Sequence, residues 1–429
     1  MAKPEAKQTA KVGAVPNPRL GPRPLPLHLT LAVLNWQSSK AALPLLSQGS
    51  LPWKAPLTGA AEDLRNALGE VEAGALRRAV EAEADARFRA FLIGVQAYRE
   101  HPYRRRLDDP PAIWREGATR LLDYGAAAGG PSGGGRKGAG GTPLLIVPSL
   151  VNRPYILDLK ARVSLVRWLA KQGFRPFLLD WGRPGEAERA FTLTDYVAGR
   201  LERALDVVLA ETGTPPRLVG YCMGGLLALA LALRREEDLS GLVLLATPWD
   251  FHAEQAAQAG LAAAGLAPLG PLIDAQGELP VDVIQGLFAS LDPLLAIRKF
   301  AAFSALDPAD SKAELFVAVE DWLNDGVPLA GPVARECLGG WYGDNVTAAG
   351  RWCIAGQAVL PARVRLPVLC MVPGHDRIVP PASARALAET LPTATVLAPP
   401  VGHVGMVVSA AAARRVWRPM ADWLDEAVR

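Results

Sequence analysis

The sequence predicts an α/β fold: a mostly parallel central sheet, a helical cap inserted into it, and a helical extension at the N-terminus. Three observations carry this. From Leu144 onward, short runs of strand length alternate with helical stretches, and the runs are almost wholly apolar, as in strands buried on both faces. One strand, Leu218-Val219-Gly220, leads through Tyr221-Cys222-Met223-Gly224-Gly225 directly into an Ala/Leu helix. Between Pro248 and Gly350 the alternation stops. Short helical segments, Gly/Pro breaks and aromatics such as Phe288, Trp322 and Trp341 take its place before a strand resumes at Pro367.

Taken in order, residues 1–57 read as a disordered tail followed by an irregular or partly helical arm containing Trp36 and Trp53. Residues 58–112 read as helical. Leu64, Leu68, Val71 and Ala75 recur at helical spacing, and so do Phe88, Phe91, Leu92 and Val95, until His101-Pro102 ends the run. Residues 113–247 form the first part of the sheet domain. Its strands are expected at 120–124, 144–147, 175–179, 217–220 and 241–245, with helices at 163–172, 194–211 and 225–234. The stretch 126–141 is Gly-rich and lacks the G-x-x-x-x-G-K-[ST] order of a phosphate loop, so a surface linker is expected there. Residues 248–349 are the cap. Residues 350–429 complete the sheet domain, with strands at 367–372 and 395–397 and a last helix at 414–426.

Composition removes several classes of function. The chain has 429 residues, 50% hydrophobic and 21% charged, enough for one large core plus an insertion. Its net charge of +3 comes without a basic stripe interleaved with aromatics, so no nucleic-acid partner is expected. Arg104-Arg105-Arg106 is answered by Asp108-Asp109, a local ion network. Cys222, Cys337, Cys353 and Cys370 lie far apart, with no metal spacing and no CxxC pair, which suits free thiols in a reducing cytoplasm. Residues 225–233, the most apolar stretch, are too few to span a bilayer, and residues 1–26 lack the apolar core of a signal peptide.

Gly220-Tyr221-Cys222-Met223-Gly224 has the form of a nucleophile elbow, G-x-nucleophile-x-G, with cysteine at the nucleophile position. The tight turn needs small flanking residues, and the helix N-terminus favours thiolate. A buried, inert cysteine is the competing reading. In a parallel sheet, ligands bind beyond the carboxyl ends of the strands. Asp376 and His403 both follow strands there, so nucleophile, acid and histidine come in the order of the α/β-hydrolase arrangement. His403 would take the proton, Asp376 would hold the imidazole in one tautomer, and Cys222 would attack a carbonyl. The N–H of Met223 is one expected oxyanion donor, and that of Leu150 or Val151 the second. Asp180 is a rival acid, Asp376 could cap a helix instead, and His375 and His252 are the competing histidines.

At these residues the chain resembles the polyhydroxyalkanoate synthases, and most of all the class III catalytic subunit. The resemblance covers Leu144 to the C-terminus. It rests on residues 150–159, Leu179-Asp180-Trp181-Gly182, Leu193-Thr194-Asp195-Tyr196, the elbow, Thr247-Pro248-Trp249-Asp250-Phe251, residues 376–381 and Gly402-His403-Val404-Gly405. It implies a Cys222, Asp376, His403 triad that polymerises (R)-3-hydroxyacyl-CoA to polyester through a thioester on Cys222, with no cofactor beyond the CoA of the substrate. It further implies a homodimer, a second synthase subunit and a cytoplasmic polyester granule surface as partners. The chain departs from that family in its longer N-terminal region, the Gly-rich stretch, and Arg377 where many relatives carry His. Two other readings stay open at this level. One is an esterase, thioesterase or polyester depolymerase on the same fold, and the other is a non-enzymatic granule scaffold.

Overall fold

A computed structural model describes residues 18–69, 71–125 and 141–426. The expected linker at 126–141, except Gly141, and residues 1–17 of the expected tail lie outside these. The chain divides into two compact units: residues 1–102 with 297–308, and residues 103–296 with 309–429.

The first unit holds three helices, α1 (Leu25–Ser47), α2 (Thr58–Leu68) and α3 (Ala73–Glu100). The arm read as irregular or partly helical holds a 23-residue helix over much of its length. Its prolines left the extent of the helix open. Pro26 stands in the first turn, where an N–H has no helical partner, and Pro44 stands in the last. Helix α3 is capped by Glu72, whose carboxylate accepts from the N–H groups of Gly74 and Ala75 at 2.7 and 2.6 Å. Its buried face is Ala84, Phe91, Gly94, Val95 and Tyr98; Leu92, expected on that face, is exposed because it lies one residue off the stripe. Phe300 packs edge-on against Phe91 and Tyr98, with ring centroids 6.3 and 5.6 Å apart. Its carbonyl fills the place a side chain at position 94 would need, so α3 carries glycine there. Residues 297–308, read from sequence as cap, therefore belong to this unit: Phe300 and Phe303 are buried in its core.

The second unit is built on an eight-stranded sheet: β1 (Ala112–Glu116), β2 (Thr119–Asp123), β3 (Thr142–Val147), β4 (Phe174–Asp180), β5 (Arg217–Tyr221), β6 (Gly241–Leu245), β7 (Val368–Met371) and β8 (Ala394–Leu397). Their order across the sheet is β1-β2-β4-β3-β5-β6-β7-β8. Strand β2 runs antiparallel to both neighbours, and every other pairing is parallel. Strand β1 escaped the sequence reading because Ala112-Ile113-Trp114-Arg115-Glu116 is a half-exposed edge with no apolar run.

Alternation along β3 sets the two layers. Leu145 and Val147 face one side, with Leu218 and the helices α5 (Glu202–Thr212) and α6 (Met223–Arg234). Leu144 and Ile146 face the other, with Val219, the helix α4 (Leu165–Lys171) and Trp417. Helix α6 is apolar all round and buried from Met223 to Ala232, as such a composition requires. Three expected helices are interrupted, the last of them (414–426) by a π-helical turn over Ala413–Trp417. Residues 163–164 form a short strand before α4, and a π-helical turn, Asp195–Leu201, precedes α5.

Between β6 and β7 come α7 (Ala256–Ala264), α8 (Leu266–Gln276) and α9 (Val281–Leu291), among other helices. Among the described residues no single helix is long and apolar enough to cross a membrane. The pair α7 and α8, bent by 46° at their junction, passes that test only jointly, by length and composition.

Candidate active site

Cys222 occupies the single residue between β5 and α6, with φ 55° and ψ −128°. A side-chain-bearing residue adopts this backbone at a cost on the order of 1–3 kcal/mol, so its surroundings must enforce it. They do. The Cys222 N–H donates to the Leu245 carbonyl at 2.9 Å, and the Gly225 N–H donates to the Cys222 carbonyl at 2.9 Å. A Cβ on Gly220 would run into Gly225, one on Gly224 into the Val147–Pro148 backbone, and one on Gly225 into Thr247. The glycines let β5, α6 and the loop after β3 close around the turn.

His403 and Asp376 reach the same place from the ends of β8 and β7. The His403 Nδ1 lies 2.6 Å from the Asp376 Oδ2, and both side chains are buried. The other carboxylate oxygen, Oδ1, accepts from the N–H groups of Ile378 and Val379 at 2.8 and 2.9 Å. The carboxylate thus fastens its own turn and holds the imidazole at once; it caps no helix. With Nδ1–H donated to Asp376, Nε2 is the ring nitrogen left for Cys222, the other ionisable group that acts on the imidazole. Burial lowers the proton affinity of His403, but the charge on the Cys222 sulfur, and after it the hydrogen bond to Asp376, outweigh burial and push its pKa up to about 10.

The rival groups are engaged elsewhere. Asp180 pairs with Arg120 and accepts from the Gly182 N–H at 3.0 Å. His375 is exposed, and its N–H donates to the Val401 carbonyl at 3.0 Å. The His252 Nε2 lies 2.8 Å from the Tyr342 carbonyl. Of the expected oxyanion donors, Met223 and Val151 line the same cavity as Cys222, while Leu150 is buried in the core. Met223 opens α6, so its N–H belongs to the first turn, which has no helical acceptor. The Val151 N–H donates to the Ser149 Oγ at 3.3 Å, a long contact.

The cavity beside Cys222 has a volume of about 150 Å³ and mainly apolar walls, among them Val151, Leu287, Phe288, Leu338 and Trp341. Ser149, Asp250, Gln255, Gln258, Ser290 and Ser383 are among its polar points. Among the described residues no group of three or more His, Cys, Asp or Glu is placed to hold a metal ion.

Sequence reading gave Tyr221 no role of its own and noted Arg377 only as a departure from the family pattern. The Tyr221 ring stacks on the imidazole of His403, with centroids 5.3 Å apart and planes at 29°, and its hydroxyl donates to the His403 carbonyl at 3.2 Å. Its place as the residue before the nucleophile was the available signal. Arg377 pairs with Asp292, just past α9, at 2.8 Å, a contact no local pattern announces.

A parallel sheet whose strand ends bring an elbow cysteine, a histidine and an aspartate together is the arrangement of the α/β hydrolases. Residues 142–410 match the family model described as alpha/beta hydrolase fold. Within that class the chain belongs to the poly(3-hydroxyalkanoate) polymerase family. It is 32% identical over 321 residues to poly(3-hydroxyalkanoate) polymerase subunit PhaC of Allochromatium vinosum, covering 73% of this chain and 88% of that one. Identity to the Synechocystis protein of the same name is 34% over 298 residues, 66% of this chain and 78% of that one. To the Haloferax mediterranei protein it is 29% over 318 residues, 73% of this chain and 63% of that longer one.

Proposed function

We propose that the chain polymerises (R)-3-hydroxyacyl groups from CoA thioesters into polyester, with Cys222, His403 and Asp376 as its triad. The observation that carries this is an elbow cysteine facing an Asp-held imidazole at an apolar cavity, in a chain of the polymerase family.

The electrostatics support a division of labour. In the free enzyme Cys222 is the largest influence raising His403, so the imidazole holds a proton beside the nucleophile. Thiolate attack on the thioester carbonyl forms the C–S bond to Cys222, and the CoA thiolate leaves with the imidazolium proton. The N–H of Met223 faces the developing oxyanion, with that of Val151 as second donor once it turns from Ser149. Acylation removes the sulfur's charge, so the imidazole becomes a neutral base. It then takes the proton of an acceptor hydroxyl, whose oxygen attacks the thioester and releases Cys222 as thiolate. The apolar walls and the inserted helices keep water from competing with that hydroxyl. A cavity of this size holds about one benzene ring, and the 3-hydroxybutyryl group has the same number of non-hydrogen atoms. A second copy of the chain, a second synthase subunit and the polyester granule surface in the cytoplasm are the partners this reading expects.

The test mixes purified protein with (R)-3-hydroxybutyryl-CoA, follows thiol release and sizes the product, with Cys222→Ala alongside. Thiol release with an insoluble polyester, abolished in the variant, is the expected result, either alone or with a partner subunit added. Release of free 3-hydroxybutyrate alone would make the chain a thioesterase and overturn the proposal.

A further inference from the structure

Tyr221 is buried and lies against the face of the His403 imidazole. A cation within about 6 Å of an aromatic centroid is attracted by the ring's negative face, more strongly where water is excluded. The stacked rings, 5.3 Å apart and tilted by 29°, meet that geometry. The hydroxyl of the same residue donates to the His403 carbonyl at 3.2 Å, so it also holds the backbone of the histidine in register with β5. The ring is unable to serve as a charge itself, because burial and then the nearby Cys222 and Asp376 charges keep its hydroxyl protonated. Cys222 on one side and Asp376 on the other are the ionisable groups that act on the imidazole. Tyr342, Cys337 and Asp250 line the cavity on the sulfur's side.

We propose that Tyr221 is a positioning residue whose ring stabilises the imidazolium of His403 and whose hydroxyl fixes the histidine's backbone. The residue before the nucleophile thereby helps keep the thiolate and imidazolium charged as a pair. This rests on the reading of Cys222 and His403 as that pair, and adds a third contributor to it besides the sulfur and Asp376.

The test needs no substrate. Iodoacetate, an anion, and iodoacetamide, which is neutral, both alkylate the Cys222 thiolate. The ratio of their rates reports the positive charge beside the sulfur, and it falls as His403 loses its proton. His403→Ala fixes the baseline. A series at position 221 from Phe through increasingly fluorinated phenylalanines keeps the ring's shape while draining its negative face. With Tyr221→Phe the midpoint of the fall is expected to stay near that of the wild type. It moves progressively toward lower pH with fluorination, and by about one and a half units in Tyr221→Leu, the size of a buried cation–ring attraction. A midpoint indifferent to fluorination in folded protein overturns the role given to the ring. A wild-type ratio that matches His403→Ala at every pH removes the ion pair, and this inference with it. Absence of polymer from a wild type that shows the shift would sink only the polymerase reading.

Discussion

Asp376 does two jobs with two oxygens, and a single substitution separates them. Asn at this position keeps an oxygen for the Ile378 and Val379 N–H groups, so the turn survives. It presents an NH₂ to the His403 Nδ1, which forces the ring into the tautomer that points a proton at the sulfur. Asp376→Asn is therefore expected to lower kcat by roughly 10³–10⁴-fold while leaving the unfolding temperature within a few degrees of wild type. Polymerisation assays beside thermal denaturation measure both. An unfolding temperature lost in step with activity would show that the turn, and not the tautomer, was what Asp376 supplied.

At the scale of elements, the elbow depends on how closely α6 approaches β3 and β6. Gly224 sits where a methyl group would strike the Val147–Pro148 backbone, which is bonded into the sheet and cannot yield as a flexible side chain does. Gly224→Ala is expected to cost about 1–3 kcal/mol through overpacking and to displace Cys222, so activity falls further than stability. Gly213, past the end of α5, gives the contrast. It has φ +64° but open space around it, so Gly213→Ala strains only the backbone, at about 1 kcal/mol, and leaves activity intact. Denaturant midpoints and initial rates of the two variants distinguish steric closeness from backbone conformation. Equal loss of activity in both would contradict it.

At the scale of the whole second unit, the sheet is tied to the segment that enters it through one fully buried carboxylate. Asp158 accepts from the Arg167 Nε at 2.7 Å and the Tyr124 hydroxyl at 3.0 Å, and pairs with Arg105 at 3.5 Å. It thus joins the end of β2, helix α4 and the strand-free approach to β1. Arg105 and Arg167 keep about a fifth of their surface in water, so removing the carboxylate leaves cations that can be partly rehydrated. Asp158→Ala is expected to cost about 3 kcal/mol, the lower end for breaking a buried pair. A urea midpoint unchanged from wild type would mean that the network adds no stability.

The parallel strands and α6 were legible because continuous apolar runs of strand and helix length have few other places to go. The placing of Cys222, Asp376 and His403 at one rim of the sheet was legible because an elbow and two strand ends are local patterns that occur in a recognisable order. The extent of helix α1 was left open by prolines, whose meaning depends on where in a helix they stand, and β1 was obscured by being an edge. The sequence by itself determined the sheet, the elbow and the chemistry available at its rim. Only the tertiary structure decided which of two aspartates meets the histidine, which loop residues reach the cavity, that Phe300 belongs with α3, and that Tyr221 lies under the imidazole. Those are contacts between residues as many as 209 positions apart. Their partners are set by how the layers stack, and no local periodicity records that.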